Sequence, residues 1–216
     1  MSTPFTKEQF FDLFERYNWG VFPAQLVLLF LAFGAVVLVH SKLGFRTKAI
    51  GSFLGLLWFW TGIVYHIAFF SQINPIAIFF GAAFIIQGVL LVLTTYRSDV
   101  FNFSFAASGK DYLAYFFILF GLILYPLIGL VEGHKLSQTI AIGLPCPSTI
   151  VTFGFLLLAA RRLPRYLLII PSLWSIIGLT AAISFGVYQD IVMLVAAISA
   201  DVILMRRNHI SIVAAK

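Results

Sequence analysis

Residues 58–91 read WFWTGIVYHIAFFSQINPIAIFFGAAFIIQGVLL. Two apolar runs flank the short polar stretch SQINP at 71–75. With their continuations, each run exceeds about 18 residues with almost no charge, enough to cross ~30 Å of hydrocarbon as a helix. Asn74 suits a helix N-cap and Pro75 a first helical position, so a tight hairpin between two antiparallel spans is expected here.

The same pattern recurs along the chain. Of the 216 residues, 61% are hydrophobic and 10% charged, where soluble domains have ~45–50% and ~25%. A soluble core of this size cannot enclose so many Phe and Leu side chains; a bilayer need not. No succession of ~10-residue segments with alternating polarity supports a barrel. The expected fold is therefore all-α, a single transmembrane domain over 1–216. Seven spans are expected at about 20–40, 49–70, 75–96, 111–131, 136–160, 165–186 and 189–205.

Before the first span, Phe5, Phe10, Phe11, Phe14 and Tyr17 recur at helical spacing among Lys7, Glu8, Asp12, Glu15 and Arg16. Residues 4–18 read as an amphipathic helix, either lying in the membrane interface or packed on the bundle as a lead-in. This polar N-terminus does not have the pattern of a cleavable signal. Residues 97–110 form the longest polar connection, with Phe101, Phe103 and Phe105 alternating, and are read as an interfacial loop. Gly51 and Gly55 form a small-xxx-small pair that permits close helix contact. Kinks are expected at Pro126 and Pro171.

The formal net charge is +6. In a soluble protein that would point to nucleic acid. Here the basic residues fall in short loops, where membrane orientation explains them better. With seven spans, Lys7, Arg16 and Lys135 share one side. The opposite side takes Lys42, Arg46, Lys48, Arg97, Lys110, Arg161, Arg162, Arg165, Arg206, Arg207 and Lys216. The division of three against eleven accounts for all 14 basic residues. It predicts an outside N-terminus and a cytoplasmic C-terminus. The single Cys146 excludes an intrachain disulfide.

The fifth span is the irregular one. Leu136 to Ala160 is apolar except for the interruption LPCPST at 144–149. A span starting after Pro147 would be too short, so the preceding segment is expected to enter the membrane as well. Pro145 and Pro147 then break the helix near the bilayer midplane. The upstream half would leave carbonyls free at 141–144, and the downstream half would be capped by Ser148. Such half-helix ends build substrate sites in transporters, although a simple kink for helix packing is the competing explanation. The expectation is that Leu144 to Thr149, including Cys146, line a polar cavity.

Ionisable and polar groups inside spans are costly and mark candidate sites. They are His66 beside Tyr65, Gln87, Asp190 and Asp201, with Glu132 and His134 at the end of the fourth span. Asp190 and Asp201 lie eleven residues apart, which places both on one helix face, with Ala197 between them. They suit a cation or proton track; alternatively each sits near a membrane surface, Asp201 beside Arg161, Arg162 and Arg206. His66, Glu132 and His134 are weak metal candidates by residue type, without a metal-binding spacing. His66 also suits a protonation switch, since free imidazole titrates near ~6.5. No lysine in the last span is placed for a retinal Schiff base, no histidine pair at matched depth suits haem, and no phosphate loop or protease motif is present. No cofactor is expected.

The stretches 58–91 and 144–160 (LPCPSTIVTFGFLLLAA) resemble a bacterial family of small multipass proteins known only as a domain of unknown function. The resemblance covers spans 2 to 6 and implies a bacterial inner-membrane setting, with no activity attached. A 3+1+3 arrangement of spans, as in small sugar carriers, is a fold-level analogy only.

Three functions fit these residues. The leading expectation is a small transporter or channel for an ion or small solute, with Ser148, Thr149, Cys146 and the 141–144 carbonyls as contacts. His66, Tyr65, Gln87, Asp190 and Asp201 would gate it or couple protons. The second is a non-transporting sensor or accessory subunit, and the third an intramembrane enzyme on a lipid or quinone. The partners are membrane lipids and the solute, not nucleic acid, with room for a homo-oligomer or a partner subunit.

Overall fold

The computed structural model describes residues 4–97, 100–160 and 163–213, without the side chains of 181 and 207–213. Arg161, Arg162 and Lys216 of the basic count lie outside the described residues, as does the side chain of Arg207. The proposed neighbourhood of Asp201 with Arg161 and Arg162 lies outside them too.

Eight helices occupy the described residues. They are α1 (Lys7–Val21), α2 (Ala24–His40), α3 (Arg46–Gln72), α4 (Ala77–Arg97), α5 (Gly109–Val131), α6 (Pro145–Leu158), α7 (Tyr166–Phe185) and α8 (Asp190–Val213). Four of them, α3, α4, α5 and α7, are long and apolar enough to cross a membrane. The pair α1 and α2, bent by 84° where they meet, would add a fifth if it forms one path. Large apolar side chains face outward, Phe30 at 79%, Phe79 at 76% and Ile183 at 76% exposure. Water would penalise such surfaces and acyl chains would not.

The amphipathic segment folds as α1. Thr6 and Gln9 form a capping box that fixes its start. Its aromatic stripe, Phe10, Phe11, Phe14 and Tyr17, is buried against the bundle. The lead-in reading describes these contacts.

The hairpin at SQINP is present. Ile76 donates its N–H to Asn74 Oδ1 at 3.3 Å, but the regular helix begins at Ala77, two residues later than expected. Helices α3 and α4 then approach closely. A Cβ on Gly88 would sit 3.1 Å from the Gly55 carbonyl oxygen. Only hydrogen in place of a side chain lets the two backbones meet there. The small-residue pair is used as its spacing implied.

Helix α6 is the centre of the bundle. It lies against α3, α5, α7 and α8, and apart from Cys146 all its residues are buried. Its polar side chains, Ser148, Thr149 and Thr152, are buried with the apolar ones, as suits a helix enclosed by its neighbours. Trp58 reaches it from α3, donating from Nε1 to Thr152 Oγ1 at 3.0 Å.

The fifth segment departs from expectation. No half-helix precedes the prolines: residues 136–138 form one 3-10 turn, and the chain then continues without helix through a turn at Gly143 to Leu144. Pro145 opens α6, with Leu144 as N-cap. A proline in the first turn needs no N–H donor, so the prolines start the helix here instead of dividing one.

The loop at 100–108 does more than skirt an interface. Phe101 and Phe103 are buried, and the extended chain closes the C-terminal end of α6. Ser104 N donates to Leu158 O at 3.2 Å, and Lys110 Nζ donates to Leu157 O. Those helix-end carbonyls would otherwise lack partners, and a cation at the negative helix end is favourable. Asp111, 2.8 Å from the Lys110 ammonium, caps α5 in a box with Ser108.

Candidate functional site

Three departures from regular helix meet beside the N-terminus of α6. Within α3, Thr61–Phe69 is π-helical; within α5, so is Phe120–Leu124. The third is the helix start at Pro145. A π-helical turn inserts an extra residue, rotates the side chains beyond it and is common at functional sites. In α5 it immediately precedes Tyr125 and Pro126, which lacks the N–H a regular helix would use. The expected irregularity at Pro126 is thus a widened turn.

These irregular turns frame a cavity of about 310 Å³. Tyr65 reaches it from the π stretch of α3, Tyr125 from α5, Cys146 from α6, Trp174 from α7 and Asp190 from the start of α8. Phe5, Phe10 and Phe14 of the N-terminal segment form one wall. The lining is largely apolar, with aromatic side chains its largest group, and it also includes Asn74, Thr180 and Ser184, so the expected polar cavity is instead a mainly apolar one with a small polar floor.

That floor is Asp190, which is 1% exposed. Tyr125 donates its hydroxyl hydrogen to Asp190 Oδ1. Cys146 lines the same cavity. Asp190 is also the first residue of α8, where partial positive charge from unpaired amides favours an anion. Among the described residues it forms no ion pair; the one ion pair present there is Lys110–Asp111.

Several backbone carbonyls of the chain leading to α6 accept from protein donors, while the buried Thr139 hydroxyl has no partner among the described residues. Asn18 Nδ2 donates to Ser137 O at 2.8 Å and Thr139 O at 2.9 Å. Tyr17 donates to Gly143 O at 2.9 Å. Leu144 N donates to Ala141 O, and Ser148 N to Leu144 O. The carbonyls of Ala141, Gly143 and Leu144, expected to be free for a solute, are therefore occupied.

The other expected site residues separate. Ser148 accepts from Gly143 N–H at 3.1 Å and caps nothing. Thr149 is buried away from the cavity. His66 is fully buried, ringed by Tyr65, Phe70, Phe80, Phe84 and Trp174, the last with its centroid 5.0 Å away. Neither of its ring nitrogens has a hydrogen-bond partner among the described residues, and it does not line the cavity. Gln87 bonds α7, donating from Nε2 to Leu167 O at 3.0 Å. Asp201 accepts from Ser172 Oγ at 2.9 Å, far along α8 from Asp190. Glu132 is exposed, and His134 rests on the Phe11 ring at 4.3 Å. The metal candidates His66, Glu132 and His134 are not brought together. No group of three His, Cys, Asp or Glu side chains among the described residues could hold a metal ion.

Sequence reasoning singled out Tyr65, Cys146 and Asp190, and missed Tyr125 and Trp174. The adjacency of Tyr125 to Pro126 was the available signal. For Trp174 there was none, because one aromatic in an apolar helix resembles any other.

No curated protein matches the chain, and no solved structure matches it. A family-level match does exist and spans residues 7–214, nearly the whole chain. The protein is therefore a member of the family described as Family of unknown function (DUF6064).

Proposed function

We propose that this protein is a small multipass carrier of the bacterial inner membrane, and that the cavity floored by Asp190 is its substrate site. In this reading α2 to α8 provide seven crossings, the N-terminus lies outside and the C-terminus in the cytoplasm. The three-to-eleven division of basic residues supports that orientation.

The observation that carries the reading is the one-sidedness of the cavity. Its lining comes from the end of the bundle that holds α1. Beyond Cys146, α6 is solid: Phe153, Phe155, Leu156, Leu157 and Leu158 are each 0% exposed. A channel needs a continuous path, whereas a carrier holds its site open to one side at a time. The short α6, ~21 Å at 1.5 Å per residue, leaves depth for a site above its first turn.

A second reading also has support. Phe5, Phe10 and Phe14 wall the cavity from the N-terminal segment, so a ligand would press directly on α1. That coupling suits a sensor that never moves its ligand across. The enzyme reading would need an acid–base pair within hydrogen-bond reach, and His66 is not among the residues that line the Asp190 cavity.

Cys146, the chain's one cysteine, distinguishes these readings. In sealed vesicles of known orientation, a small membrane-impermeant thiol reagent is applied to each face separately. A carrier exposes Cys146 to both faces in turn. Labelling from the α1 side alone supports the sensor, and labelling from neither face defeats both.

A further inference from the structure

Asp190 poses a question of charge. It is a carboxylate in an aromatic cavity, and among the described residues no cationic side chain pairs with it. A buried ion without a counter-charge is costly. Its donor, the Tyr125 hydroxyl, holds it as an acceptor and adds no net charge. The first turn of α8 contributes only a partial positive charge of about half a unit. The nearby first turn of α6 contributes little, because Pro145 and Pro147 leave Cys146 as the one N–H among its first three residues.

The rest of the lining is largely apolar, aromatic side chains being its largest group beside Asn74, Thr180 and Ser184. Tyr65, Phe70, Phe80, Tyr125, Trp174 and Phe185 surround the space. They form connected walls, with Tyr65 stacked on Phe70 at 5.6 Å and Phe80 edge-on to Trp174 at 5.4 Å. Aromatic faces carry negative potential and attract organic cations, most strongly where water is excluded. One carboxylate with several ring faces gives a full counter-charge and a soft, apolar enclosure together. A strongly hydrated metal ion would find too few oxygen ligands here. A neutral apolar molecule would leave the carboxylate without its counter-charge. An anion would be repelled.

We infer that the Asp190 cavity binds a small organic cation, an amine or quaternary ammonium with short apolar substituents, its charge against Asp190 and its substituents against the rings. The volume of about 310 Å³ sits at the small end of ligand pockets. The inference rests on the reading of this cavity as a binding site and names its ligand class. The same ammonium chemistry occurs in dissolved amines and in lipid headgroups.

The test uses the intact, unaltered chain in lipid nanodiscs and follows protection of Cys146 from a thiol reagent. Three probes of one shape differ in charge: choline, the neutral 3,3-dimethylbutan-1-ol and the anionic 3,3-dimethylbutanoate. Choline should protect at a concentration about tenfold or more below the alcohol, with the anion weakest. Equal protection by choline and the alcohol overturns the cation inference and leaves the binding cavity standing. No protection by any probe overturns both. Asp190→Asn should bring choline and the alcohol to protection at similar concentrations, and the unaltered chain suffices if that variant does not fold. A further arm with a short-chain phosphatidylcholine identifies the source: stronger protection than by choline supports a headgroup, weaker supports a dissolved cation.

Discussion

The side-chain amide of Gln87 on α4 donates to the carbonyl of Leu167 on α7, 3.0 Å away. In a regular helix that carbonyl would receive the N–H of residue 171, which is Pro171 and has none. Gln87 supplies from a neighbouring helix the donor that proline removes. This repair explains its place inside the helix.

Gln87→Leu should therefore lower stability by about 1–2 kcal/mol, the cost of stranding a buried acceptor. In a Pro171→Ala background, where the backbone N–H returns, the same substitution should cost close to nothing. Denaturation in detergent of the two single variants and the double variant checks this. An equal cost in both backgrounds would remove the repair argument.

Tyr17→Phe strips one bond from the Gly143 carbonyl and another from the Trp60 indole, which donates to the Tyr17 hydroxyl at 2.7 Å. Both groups would lose a partner within the protein, at a cost of about 1–3 kcal/mol. The chain that leads into α6 would also lose one of its ties to α1, the Asn18 bonds to Ser137 and Thr139 remaining. The expected result is a lower unfolding midpoint together with faster thiol labelling of Cys146. Unchanged labelling would mean that α1 does not hold the cavity shut.

Gly143 has φ +95°, and a Cβ there would lie 2.9 Å from Leu28 Cδ1 and 3.2 Å from the Tyr17 hydroxyl. Gly143→Ala should destabilise by about 1–2 kcal/mol from the backbone alone. Gly34, with nothing within 4 Å of its would-be Cβ, is the matched control. Gly34→Ala should be neutral or slightly stabilising, because alanine favours helix. Parallel thermal melts of the two variants decide it.

Asp111 accepts from Ala106 N, Ser108 N and Ser108 Oγ at 3.0, 3.1 and 2.8 Å, and pairs with Lys110. Asp111→Ala should cost about 1–2 kcal/mol through the lost cap alone. Asp12→Ala on the polar face of α1 should fall within about 0.5 kcal/mol of wild type. If the two variants unfold together, the closure of α6 by residues 100–111 contributes little to stability.

Orientation can be read directly. In a Cys146→Ser chain, a cysteine at Lys42 should react with an impermeant reagent only from the cytoplasmic face, and one at Lys135 only from the outer face. Reaction of both from the same face would contradict an odd number of crossings between them.

The sequence by itself determined most of the helices and that several are apolar enough to cross a membrane. Runs of apolar residues this long are stable only among acyl chains, and each must satisfy its own backbone as a helix. For that reason α2, α3, α4, α5 and α7 lie close to their expected limits. It also marked Cys146, Asp190 and Tyr65, because polar groups and prolines stand out against an apolar background. Partnership was decided by the tertiary structure. Gln87 and Asp201 pair with groups 80 and 29 residues away in the chain, and no local pattern encodes such distances. The prolines at 145 and 147 show the same limit. Local chemistry says only that a proline cannot sit inside a regular helix. Whether it breaks one or begins one depends on what satisfies the preceding backbone, and here that is Tyr17 and Asn18, brought from the other end of the chain by the fold.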